Sequence, residues 1–138
     1  MTKKFWMTFA AVFVASFICD FVVYFLILGS AFNSLPLWRP DKESLMWIYH
    51  VITLVGSFFF TFIFTKGYEG KGIAEGIRYG LYTGIWLSTG MAYGTYAMVA
   101  IPYGLTLEWF FLGVLSYIVM GVVASLVYGR KPAAEPAH

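Results

Sequence analysis

Charge is scarce in this chain: only 12% of its 138 residues are Asp, Glu, Lys or Arg, about half the share usual in soluble domains. A chain so poor in charge cannot clothe itself for water. Cysteine is limited to Cys19, which excludes a disulfide framework or a Cys-ligated metal site within one chain. Histidine is limited to His50 and His138, so no paired transmembrane histidines exist to hold a haem from both faces. The net charge of +2 is small and the basic residues border apolar runs instead of forming a stripe, which leaves a nucleic-acid partner without support. No nucleophile elbow, Cys–His pair or phosphate loop is present, and the chain is not expected to be an enzyme. No metal or cofactor is assigned.

What is abundant is apolar sequence, 60% of the chain. It falls into four runs, 5–28, 45–64, 79–100 and 109–128. A bilayer core of about 30 Å needs roughly 20 apolar residues in a helix, and each run meets that length. The expectation is an all-α fold: one domain over 1–130 forming a transmembrane four-helix bundle, with a flexible tail over 131–138. Lys3-Lys4 before an apolar run has the look of a secretion signal, but the apolar core of such signals is about 7–15 residues. The run over 5–28 is therefore read as a retained helix. Asn33, Pro36, Pro40 and Asp41 mark the first connection, and Gly67, Gly70 and Gly72 the second. The third, Ile101-Pro102-Tyr103-Gly104, predicts a tight hairpin between helices 3 and 4.

Basic residues set the expected orientation, because cytoplasmic loops carry their excess. Lys3, Lys4, Lys66, Lys71, Arg78, Arg130 and Lys131 share one side, and only Arg39 and Lys42 the other. Both termini are thus expected in the cytoplasm. Trp6, Trp38, Trp47 and Trp109 fall at the two boundaries, where indoles settle. Trp86 lies roughly 10 Å deeper.

Without a hydrophobic push between helices in lipid, association depends on small residues that allow close approach. Gly76, Gly80, Gly84, Ser88 and Ala92 recur every fourth residue and predict a packing groove, either within the bundle or at a dimer interface. The opposite face carries Tyr82, Trp86, Tyr93 and Tyr96. That stripe is read either as packing and lipid contact or as the wall of an apolar-ligand site.

Asp20 is the most demanding residue, because a carboxylate among lipid tails costs several kcal/mol unless paired or neutralised. Helical rise places Asp20 about 12 Å below one end of the first run and His50 about 8 Å below the same end of the second. The pair is expected to meet, with Glu108 near the mouth, Thr53 and Ser57 continuing below His50, and Tyr24 one turn from Asp20. Three readings stay open for this cluster: a structural hydrogen bond, ion or proton handling by groups of tunable pKa, or a metal or haem ligand set.

The stretch Lys66-Gly67-Tyr68-Glu69-Gly70-Lys71-Gly72, continuing through Glu75-Gly76-Ile77-Arg78-Tyr79-Gly80-Leu81, resembles small four-span bacterial inner-membrane proteins that are themselves of unknown function. The resemblance implies the topology and no activity; Glu69, Glu75 and Arg78 are expected to form surface ion pairs. A looser similarity to small multidrug transporters rests on four helices, many aromatics and an acidic residue in the first helix, and it breaks down in chain length, in the charged first loop and in Asp where they carry Glu. The expected partners are the lipid bilayer and either further copies or a larger membrane complex. The expected function is a non-catalytic packing or accessory subunit, or a bundle binding a small hydrophobic ligand; the alternative is a proton- or ion-coupled carrier using Asp20 and His50.

Overall fold

The computed structural model describes residues 2–36 and 38–130; the tail over 131–138, including Lys131, lies outside the described residues. Among those described, the fold is all-helical, without strands. Helix α1 (Lys3–Phe21) runs into a π-turn (Val22–Ile27) and a short α2 (Gly29–Asn33). A 3-10 turn (Lys42–Leu45) leads into α3 (Met46–Lys66). Helix α4 (Ile73–Ser88) passes through a second π-turn (Thr89–Tyr93) into α5 (Gly94–Met98), and α6 (Tyr103–Tyr128) closes the chain.

Three helical stretches, Lys3–Ile27, Lys42–Lys66 and Tyr103–Tyr128, are long and apolar enough to cross a membrane. The expected third span, 79–100, is helical over 73–98 but is not among the three. The reason is compositional: Gly76, Gly80, Gly84, Gly90 and Gly94, with Tyr and Thr between them, add helix length while adding little hydropathy.

Two helices begin earlier than the apolar runs suggest, α4 at 73 where 79 was expected and α6 at 103 where 109 was expected. Hydropathy marks where lipid would begin, whereas helix geometry begins where the backbone turns. For α4 that point is Gly72, whose φ of 78° is open to glycine and strained for other residues. For α6 it is Pro102, extended at ψ 142°, so Tyr103 and Gly104 form the first helical turn and not the hairpin loop.

The long helices pack in the order α3, α1, α6, α4, with the α4–α6 contact by far the most extensive and only a slight one between α3 and α6. Lys4 Nζ lies 5.1 Å from the Tyr128 ring centre and Tyr68 meets Tyr128 at 4.8 Å, so the start of α1 and the end of α6 share one end of the molecule with the α3–α4 turn. At the other end Trp109 packs on Tyr24 and Phe32, at 6.3 and 5.3 Å. Between the ends, Val12, Phe60, Phe64, Met120 and Ala124 form the core that joins α1, α3 and α6.

The α4–α6 seam is closed at the level of the backbone. A Cβ built on Gly80 would lie 2.6 Å from Ile118 Cα and collide with the Tyr117 carbonyl; one on Gly84 would lie 3.0 Å from Val114 Cα. A Cβ on Gly76 would lie 2.6 Å from Ser125 Oγ and overlap the Gly121 carbonyl. Ser88 and Ala92 continue the same stripe and are buried. A four-residue spacing drifts round a 3.6-residue helix, and the π-turn at Thr89–Tyr93, with its extra residue per turn, offsets the drift at the far end.

Glycine substitutions separate the seam from the rest of the fold. Gly80→Ala should lower unfolding stability by about 1–3 kcal/mol through overpacking, whereas Gly56→Ala, where nothing lies within 4 Å, should raise it by roughly 0.5–1 kcal/mol through helix propensity. Reversible unfolding in mixed micelles reads both; equal effects would contradict the seam.

Candidate functional site

Asp20 is half-buried on α1, and its hydrogen-bonding neighbour is Thr53, not His50. Thr53 Oγ1 donates to the Tyr49 carbonyl at 2.9 Å and also reaches Asp20 Oδ2 at 3.4 Å, so the contact to the carboxylate is the weaker branch of a shared donor. His50 is exposed and stacks on Phe17 with ring centres 5.6 Å apart. Among the described residues no hydrogen bond or salt bridge joins it to Asp20. The expected Asp20–His50 pair is thereby corrected. Depth along the helices was right for a meeting, but three residues correspond to about 300° of rotation, which leaves His50 some 60° off the face that Thr53 presents to α1.

The remaining cluster residues scatter. Glu108 is exposed, and among the described residues no hydrogen bond or salt bridge joins it to Asp20. Tyr24 turns to α6, where its hydroxyl accepts from Trp109 Nε1 at 2.8 Å. Ser57 does lie below Thr53 on the α1-facing side of α3, 1% exposed, with Thr61 a turn further at 0%. Among the described residues both hydroxyls lack a hydrogen-bond partner. Helix α1 buries Thr8, Val12 and Ser16, and Val12 packs with Phe60 and Phe64 of α3 and with Met120 and Ala124 of α6. Two buried hydroxyls without a partner carry a cost of about 1–3 kcal/mol each.

The aromatic stripe of α4 divides at the π-turn. Tyr82 and Trp86 are 66% and 71% exposed, whereas Tyr93 and Tyr96, beyond it, converge on Tyr103 at 6.2 and 5.6 Å. The four therefore do not line one continuous wall. The packing groove, in contrast, brings Gly76, Gly80, Gly84, Ser88 and Ala92 together against α6. Its reciprocal small residues, Gly113, Gly121 and Ser125, were missed from the sequence. Their spacing of eight and then four was the available signal.

Two open clefts occur at the end shared by the α3–α4 turn. One, of about 310 Å³, is lined by Ile63, Phe64, Glu69, Glu75, Arg78 and Tyr82 among others; the second, of about 220 Å³, by Phe5, Phe62, Thr65, Lys66 and Tyr128 with Thr2. Asp20 borders neither. Glu75 is buried and, among the described residues, not part of an ion pair: its Oε1 accepts from the Glu69 N–H at 2.6 Å and its Oε2 from the Lys71 N–H at 2.8 Å. Standing in the first turn of α4, it also faces the positive end of the helix dipole. Glu69 is exposed, and the Lys71 ammonium bonded to it holds its carboxyl below the usual range. Among the described residues no group of three or more His, Cys, Asp or Glu side chains could hold a metal ion.

No protein-family model matches the chain, and comparison with curated proteins and with solved structures gives no match.

A double-mutant cycle on unfolding stability distinguishes the neighbours of Asp20. Asp20→Ala with Thr53→Val should show coupling of about 0.5–1 kcal/mol, and Asp20→Ala with His50→Leu should be additive. Coupling confined to the His50 pair would overturn this geometry. At the turn, Glu75→Ala should cost about 1.5–3 kcal/mol, the range for hydrogen bonds to a charged group, and limited proteolysis should then cut within 67–72.

Proposed function

We propose that the chain is a four-span protein of the bacterial inner membrane, with both termini cytoplasmic, acting without catalysis as an accessory or packing subunit of a larger membrane assembly. The observation that carries the reading is the position of α3. It packs extensively against α1 alone and leaves Trp47, Val51, Ile52 and Val55 exposed. Within a bilayer such a helix is free to take a protein neighbour, since association there needs only close packing.

The orientation is supported by the placement of charge. Lys3, Lys4, Lys66, Lys71, Arg78 and Arg130 lie towards the end where α1 and α4 begin and α3 and α6 finish, and Arg39 and Lys42 lie in the opposite connection. A carrier using Asp20 and His50 together finds less support, since the two face different neighbours and neither cleft reaches Asp20.

Photo-crosslinking in native membranes tests the subunit reading. A crosslinker at Val55 of α3, which is exposed, should yield a discrete protein adduct, and one at Trp86, on the opposite helix of the row, should yield lipid adducts. Only lipid adducts at both positions would contradict it. Sidedness is tested by reporter fusions: a fusion at His138 should report cytoplasm and one beside Asp41 periplasm, and a periplasmic signal from the C-terminal fusion would reverse the orientation.

A further inference from the structure

The larger cleft has walls of unlike chemistry. Ile63 and Phe64 of α3 and Tyr79 and Tyr82 of α4 form an apolar and aromatic side, while Glu69, Glu75 and Arg78 form the lip. The charges at the lip are not equally free. Glu75 commits both carboxylate oxygens to backbone N–H groups, and Glu69 is paired with Lys71. Among the described residues the Arg78 guanidinium has neither a hydrogen-bond nor a salt-bridge partner. One cation with a planar fork of donors is thus left at the mouth of an apolar cleft.

The floor of the cleft is Tyr79. Helices α3 and α4 do not pack backbone to backbone; they lean together where the Tyr79 ring meets Phe60 and Phe64 at 4.7 and 5.3 Å and its hydroxyl donates to the Phe60 carbonyl at 2.7 Å. On either side of this bridge, Ile63 and Tyr82 stand exposed, with Phe59 and Trp86 one turn deeper on the same two helices. Exposed apolar side chains on the two helices thus continue from the charged lip towards the middle of the molecule.

We propose that this cleft seats a phosphate-bearing amphiphile, its phosphate on the Arg78 guanidinium and its chain lying between α3 and α4 along Ile63 and Tyr82. The proposal rests on the membrane-spanning reading, which puts Arg78 at headgroup depth. A guanidinium matches a phosphate with two parallel N–H donors, and Lys66, which lines the second cleft at the same end of the molecule, adds to the positive charge that draws anionic headgroups to a membrane surface. A volume of about 310 Å³ is at the small end for a ligand site. It suits a headgroup and the beginning of one chain, with the remainder along the exposed apolar side chains beyond it.

Native mass spectrometry of the full chain, purified in a neutral maltoside, tests the site with three probes: dihexanoyl phosphatidylglycerol, dihexanoyl glycerol with the same chains and no phosphate, and inorganic phosphate. The phospholipid should bind one per chain, and the other two at least tenfold more weakly. Arg78→Gln should weaken the phospholipid about tenfold, Arg78→Lys less, and Tyr82→Ala a few-fold; both positions are exposed, and unchanged helicity would verify folding. Equal binding of dihexanoyl glycerol, phosphate alone binding as tightly, or indifference to both Arg78→Gln and Tyr82→Ala would overturn the proposal. Alkaline extraction of membranes reports the membrane reading separately, so a protein that stays with the membrane yet ignores the phospholipid overturns the site alone.

Discussion

The contact on which the rest of the structure depends is the glycine seam between α4 and α6. Lipid supplies no hydrophobic drive for two apolar helices to associate, so the strength of a contact there comes from how many atoms reach van der Waals range. Gly76, Gly80 and Gly84 let the α6 backbone at Val114, Tyr117 and Gly121 approach to a distance that a methyl group would prevent. Once α6 is held on one side by α4, its other side is left to α1 through the Val12, Met120 and Ala124 core. Helix α3 then joins from outside, on α1. The uncovered face of α3 and the cleft between α3 and α4 follow from that order of packing.

Polar groups occupy the looser parts of the same arrangement. In the tight seam Ser88 is the hydroxyl that approaches α6, next to Gly113. Between α1 and α3, where packing is less complete, sit Asp20, Thr53, Ser57 and Thr61. Asp20 near the edge of that interface has a shared donor as its neighbour, and the Ser57 and Thr61 hydroxyls, unpaired among the described residues, follow on α3. Such groups favour a definite register between α1 and α3 more than they add stability, because an unsatisfied buried hydroxyl costs more than a satisfied one contributes.

Much of the fold was legible in the sequence because length and hydropathy act locally. Three of the four apolar runs emerge as long apolar helices, and the fourth as a helix whose glycines and tyrosines dilute its hydropathy. The periodic stripe on α4 could be seen because glycine every four residues is unusual in any helix. Its partner on α6 was hidden, since Gly113, Gly121 and Ser125 are separated by bulky residues and only the meeting of the two helices picks them out. The polar site was the hardest to read. Depth alone suggested Asp20 with His50, but rotation about each helix axis decides contact, and a single π-turn or a 60° offset redirects a side chain. Glu75 was misread for a related reason: its role as an acceptor for the turn's own N–H groups depends on Gly70 and Gly72 bending the backbone back over it.

The central claim, that α4 and α6 touch through their backbones, is open to direct measurement. In micelles, with glycine and isoleucine α-positions selectively protonated in a deuterated chain, nuclear Overhauser contacts should appear between the α-protons of Gly80 and Ile118 and between those of Gly76 and Gly121. If α4 and α6 instead show contacts only between the ends of long side chains, with no α-proton contacts at these glycines, the seam does not exist and the packing order built on it fails.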